Sequence, residues 1–87
     1  MEIKPLFDDE FPVLYRYCLR MTGEPDHAQD VAQEAFVRLV RDSVDGPRRA
    51  VRAWLFRVAS NLVRDGWRVH ENRRRLLEAH PVGPESP

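Results

Sequence analysis

The chain has 87 residues, 43% hydrophobic and 32% charged, with a formal net charge of zero. That is room for one small domain with a modest core, and the composition excludes a disordered or collagen-like chain. A single cysteine, Cys18, excludes an internal disulfide framework, and the acidic opening MEIKPLFDDEF has no apolar run long enough for a signal peptide or membrane anchor, so the protein reads as soluble, cytoplasmic and not inserted in a membrane.

The first helical segment runs from about Pro5 to Met21, where Phe7, Phe11, Leu14, Tyr15, Cys18 and Leu19 recur at three- and four-residue spacing. Asp8, Asp9 and Glu10 lie near its start, where the helix dipole favours anions. Pro12 must then occupy the first turn or mark a kink, and Gly23 in MTGEP is a natural C-terminal cap. The second segment opens at Pro25, a favoured first helical position, and carries Ala28, Val31, Ala32, Ala35, Phe36, Leu39 and Val40 as its apolar stripe. It stops at DSVDGP, where Gly46 and Pro47 oppose continuation. The third runs from about Arg49 to Leu77, with Val51, Leu55, Val58, Leu62 and Val69 on the core face and Gly66 weakening it locally. The closing HPVGPESP, rich in proline, reads as a disordered tail or linker. No strand pattern or repeat appears. The expected fold is all-α: a three-helix antiparallel bundle, with or without a short extra N-terminal turn, over residues 1–77, followed by a flexible linker or tail at 78–87.

Charge is distributed unevenly over these segments. Residues 1–47 carry five Lys/Arg against ten Asp/Glu, whereas residues 48–75 carry nine Arg against two acids. Such a split fits two different partner surfaces, or a fold in which the acidic helices neutralise the basic one. On a helical wheel, Val51, Leu55, Val58 and Leu62 fall within about 60° of each other. Arg57, Asn61, Arg64 and Arg68 form a separate stripe bordered by Trp54, and Phe56, Val63 and Trp67 occupy a third sector. Two apolar sides suit a central helix packed by both neighbours, with arginine filling the wet side. The same stripe suits nucleic acid with exposed bases: Arg neutralises phosphates, Trp offers a flat face to an unpaired base, and Asn carries a donor and an acceptor for a base edge. Further arginines precede it at Arg48, Arg49 and Arg52 and follow it at Arg73, Arg74 and Arg75.

Other chemistries find little support. Cys18, His27, His70 and His80 are scattered, and no H-E-x-x-H, C-x-x-C or Gly-rich phosphate loop is present. Cys18 reads as core and His27 as an exposed first-turn residue, so no enzyme activity, metal or cofactor is expected. A helical protein-interaction module with an acidic docking face and no DNA function of its own is an alternative. An ordinary duplex-reading helix-turn-helix is another, but DSVDGP does not resemble its short turn.

The stretch DHAQDVAQEAFVRLV followed by AWLFRVASNLVRD resembles region 2 of bacterial sigma factors of the sigma-70 family, most of all the small extracytoplasmic-function group. The likeness extends over about residues 7 to 75, and the two motifs are specific in this order and spacing. It implies a helical domain that docks on the clamp helices of the largest subunit of core RNA polymerase. The docking surface would be the DVAQEAF helix, through Asp30, Gln33, Glu34, Val37 and Arg41. It also implies that the third helix recognises the non-template strand of the promoter −10 element, with the preceding loop SVDGPRR (43–49) helping to form a pocket for an extruded base. By the resemblance Asn61 matches the family's asparagine and would contact a base, Arg52, Arg57, Arg64 and Arg68 would hold phosphates, and Trp54 matches the family's tryptophan, in a recognition or structural role; Arg48 and Arg49 are further candidate DNA-binding residues. An anti-sigma factor is a further partner such surfaces accept. Full members also carry region 4, which reads the −35 element. This sequence is expected to lack it, as an isolated domain or a truncated protein, and its loop at 43–49 is short.

Overall fold

The computed structural model describes residues 2–66. Three helices follow in order: α1 (Ile3–Thr22), α2 (Pro25–Arg41) and α3 (Arg48–Arg64), each packed against both others. Along α1 the buried row is Leu6, Glu10, Leu14 and Cys18, one residue per four-residue step. It is displaced by one position from the stripe expected through Phe7 and Phe11. Phe11, Tyr15 and Leu19 pack only at its edge, and Phe7 is 36% exposed. The acids of this segment also sit differently from expectation. Because α1 begins at Ile3, its first turn holds no acid, and Asp8 instead pairs with Lys4 at 3.2 Å. Pro12 lies in the interior of α1, well past the first turn, so the Asp8 carbonyl lacks the amide partner an ordinary residue would supply.

α2 starts at Pro25 as its sequence requires, and its core face is built largely from small residues, Ala28, Ala32 and Ala35, with Val31, Phe36 and Leu39. Small side chains let both neighbouring helices lie close to it. His27, expected at the surface, is buried: it shares the four-residue row of Val31 and Ala35. Val40, expected in the core, is 56% exposed. On α3 the buried residues are Val51, Leu55, Ala59 and Leu62, with Val58 half-buried beside them. This helix is shorter than its periodicity suggested. It is capped at Asp65, and Gly66, at φ 73°, adopts the left-handed conformation and donates to the Val63 carbonyl at 3.0 Å. Val69, Trp67, Arg68, Arg73, Arg74, Arg75 and the tail at 78–87 lie outside the described residues.

The end of α2 decides where the loop before α3 begins. It closes at Asp42, ahead of Gly46, through a Schellman arrangement: the Ser43 amide donates to the Val40 carbonyl and the Val44 amide to the Leu39 carbonyl, both at 3.1 Å. The left-handed residue here is Ser43, at φ 53°, where a side chain is strained. Val44 then turns back onto the core. Ser43→Gly removes the strain while keeping both hydrogen bonds, and is expected to stabilise the fold by roughly 0.5–1 kcal/mol in urea unfolding.

Candidate nucleic-acid and docking surfaces

Two positions nine residues apart on a helix stand about half a turn from each other in projection. Arg48 and Arg57 are such a pair on α3, and so are Arg52 and Asn61. The arginines of this helix therefore divide between two flanks. Arg48 Nη1 lies 3.3 Å from Asp9 Oδ2 and 3.6 Å from Glu10 Oε2, while Arg52 Nε lies 3.3 Å from Glu10 Oε1. Glu10 is only 7% exposed. The Arg52 guanidinium also sits 5.7 Å from the Phe56 ring centroid, a cation–π contact. Phe56 in turn meets Tyr17 at 4.9 Å, and the Tyr17 hydroxyl and Ser60 Oγ share a 2.6 Å hydrogen bond. This flank is fastened to α1, so internal neutralisation, one of the two readings of the charge split, is realised for Arg48 and Arg52.

The opposite flank is open. Arg57, Asn61 and Arg64 are exposed, and Arg64 Nη1 donates to Asn61 Oδ1 at 2.8 Å, which orients the amide. Arg49 is exposed in the first turn. Among the described residues neither Arg49 nor Arg57 forms an ion pair. Trp54 is half-buried beside this flank and packs against the core. Together with Arg57 on α3 and Val44 and Asp45 from the loop, it lines a recess of about 360 Å³. That volume lies in the range of small-molecule pockets. Asp45 Oδ1 accepts the Gly46 amide at 2.8 Å, which stiffens the loop side of the recess.

On α2 the candidate docking residues share one side. Gln33, Val37 and Arg41 are exposed, and Asp30 and Glu34 are half-buried. Glu34 Oε2 accepts a hydrogen bond from Arg38 Nε at 2.9 Å. Arg41 grips Asp42 through Nε at 2.9 Å, and that hydrogen bond holds the Asp42 carboxyl below its ordinary range. The expected set was polar apart from Val37, but the surface has a larger apolar centre. Phe7, Phe36, Val37 and Val40 join Gln33 and Arg41 around an open groove of about 620 Å³. Phe7 holds its place by stacking on Phe11 at 4.7 Å and meeting Phe36 edge-on at 5.0 Å. Of the α2 part of this groove, the sequence offered Gln33, Val37 and Arg41 as docking residues, but it placed Phe36 and Val40 in the core. Phe7 too was placed in the core by its spacing.

A family model described as sigma-70 region 2 matches residues 6–74. The chain belongs to the sigma-70 region 2 family. Its relatives place this region 2 in the extracytoplasmic-function group. It is 40% identical over 65 residues to the ECF RNA polymerase sigma factor SigL of Mycobacterium tuberculosis, covering 72% of this chain and 37% of the relative. It is 44% identical over 75 residues to the ECF RNA polymerase sigma factor SigW of Bacillus subtilis, covering 83% and 38%. The chain thus spans less than two fifths of the length of these relatives. No solved structure gave a significant match. Among the described residues of this region 2, no helix is long and apolar enough to cross a membrane.

Cys18 of this region 2 is fully buried, and burial pushes its thiol up to about 11. The thiolate is the reactive form. At pH 8 the folded protein is therefore expected to resist iodoacetamide, and urea is expected to release full labelling, read by mass spectrometry.

Proposed function

We propose that this domain is the promoter-recognition part of a bacterial transcription initiation factor. It binds the clamp helices of core RNA polymerase through α2, and it reads and melts the −10 element with α3. The observation that carries this reading is the open flank of α3: exposed Arg57, Asn61 and Arg64 beside the Trp54 recess, turned away from the helix that fastens the other flank. Three supports converge there. The guanidiniums meet phosphates of one strand. The Asn61 amide, oriented by Arg64, offers hydrogen bonds to a base edge. The recess accepts a base drawn out of the stack, whose extrusion costs a few kcal/mol. Stacking contacts on an aromatic face, worth roughly 1–3 kcal/mol per base, offset that cost. Opening is then driven by binding energy, and the chain itself needs no catalytic group. Docking on α2 combines the apolar groove with the polar rim of Gln33, Glu34 and Arg41, an apolar centre with a polar edge as in protein interfaces generally. An anti-sigma factor is a further ligand for the same surfaces, and the cytoplasm is where all these partners meet.

Arg57→Ala and Arg64→Ala are each expected to weaken binding to single-stranded −10 DNA and to flatten its log–log salt slope by about 0.7, the single-strand value for one phosphate contact. Unchanged binding in titrations by fluorescence anisotropy rejects the α3 reading and leaves a protein-interaction module. Val37→Asp places a charge in the exposed groove without touching the core. It is expected to weaken co-elution with core polymerase by roughly tenfold or more, the effect of losing an interface hot spot, with the circular dichroism melt unchanged. Replacing Gln33 and Glu34 together with Ala acts in the same direction. Normal co-elution of both variants rejects the docking face.

A further inference from the structure

We infer that Asp9 and Glu10 withhold Arg48 and Arg52 from nucleic acid, so that the phosphate-binding surface of α3 is confined to the flank of Arg57 and Arg64. The inference rests on the strand-binding reading above and subtracts two arginines from it. Two carboxylates face two guanidiniums in this cluster, at 3.3–3.6 Å, and cancel its field toward a polyanion. Arg48 and Arg52 are half exposed, but a phosphate that approaches them also meets the carboxylate of Glu10, which is buried in the α1 row between Leu6 and Leu14 and stays beside them. The first turn of α3 carries no acid of its own, so Asp9 and Glu10 also supply the anions that a helix N-terminus bearing Arg48 and Arg49 lacks. Finally, Arg48 and Arg52 stand half a turn from Arg57 and Asn61 in projection, and a single strand lying along one flank does not reach the other.

The test uses the full chain with Asp9→Asn, Glu10→Gln and the double variant. Asp26→Asn removes the same charge from the exposed start of α2 as a control. Two readouts are taken: anisotropy with a single-stranded −10 oligonucleotide across a salt series, and elution from heparin. Freed guanidiniums are expected to tighten oligonucleotide binding, to steepen the log–log salt slope by up to about 0.7 per new phosphate contact, and to delay heparin elution, while Asp26→Asn does none of these. Unchanged slope and elution in variants that melt cooperatively overturn the inference, as does an equal gain in Asp26→Asn. Should Glu10→Gln unfold, Asp9→Asn carries the test, because Asp9 is exposed. If the unaltered chain ignores the oligonucleotide yet Asp9→Asn elutes later from heparin than Asp26→Asn, masking stands and the strand-binding reading falls. If the oligonucleotide binds with a slope no variant alters, the reverse holds.

Discussion

A buried carboxylate held between two guanidiniums sets the rotation of the third helix. Glu10 occupies a position on α1 that is otherwise apolar, in line with Leu6, Leu14 and Cys18. A charge there is costly unless a partner of opposite sign meets it. α3 answers by turning its Arg48–Arg52 flank toward α1, and the Tyr17–Ser60 hydrogen bond and the Tyr17–Phe56 contact lock the same orientation farther along. With the helix fixed about its axis, Val51, Leu55, Ala59 and Leu62 enter the core, and Arg57 and Asn61 are left facing outward.

α2 acts as the spine between the other two helices. Its alanines keep the packing close, and its remaining residues carry a second surface that shares little with the core. The apolar members of that surface, Val37 and Val40, are solvent-exposed, while Phe7 comes across from α1 to extend it. Exposed contiguous apolar groups of this kind mark interaction sites more often than isolated ones do. The polar residues around them do not stand unengaged: Glu34 holds Arg38, and Arg41 holds Asp42.

Much of this was legible in the chain. Pro25 and Gly23 marked the break between α1 and α2, and the alternation of apolar triads and tetrads gave three helices. The departures have separate physical causes. Glu10 disguised the buried row of α1, because a charged residue in an apolar row reads as solvent-facing until its partner is known, and the partner comes from a helix 38 residues downstream. Pro12 was read as a first-turn residue or a kink, whereas it lies in the interior of α1, where one missing hydrogen bond on an exposed side is tolerated. The stop of α2 at DSVDGP was read correctly, but the left-handed residue that closes the helix is Ser43. In α3, the half-turn offsets of Arg48 from Arg57 and of Arg52 from Asn61 were present in the chain, but the contact of Arg48 and Arg52 with Asp9 and Glu10 comes from another helix and was not.

The division of α3 into a fastened flank and an open one separates two kinds of evolutionary pressure. Substitutions at Arg57, Asn61 or Arg64 leave the contacts between helices untouched, so the open flank can change while the scaffold persists. Changes at Glu10, Arg48 or Arg52 must arrive together, since each alone strands a partner's charge. Across a lineage, Glu10, Arg48 and Arg52 should covary as a unit.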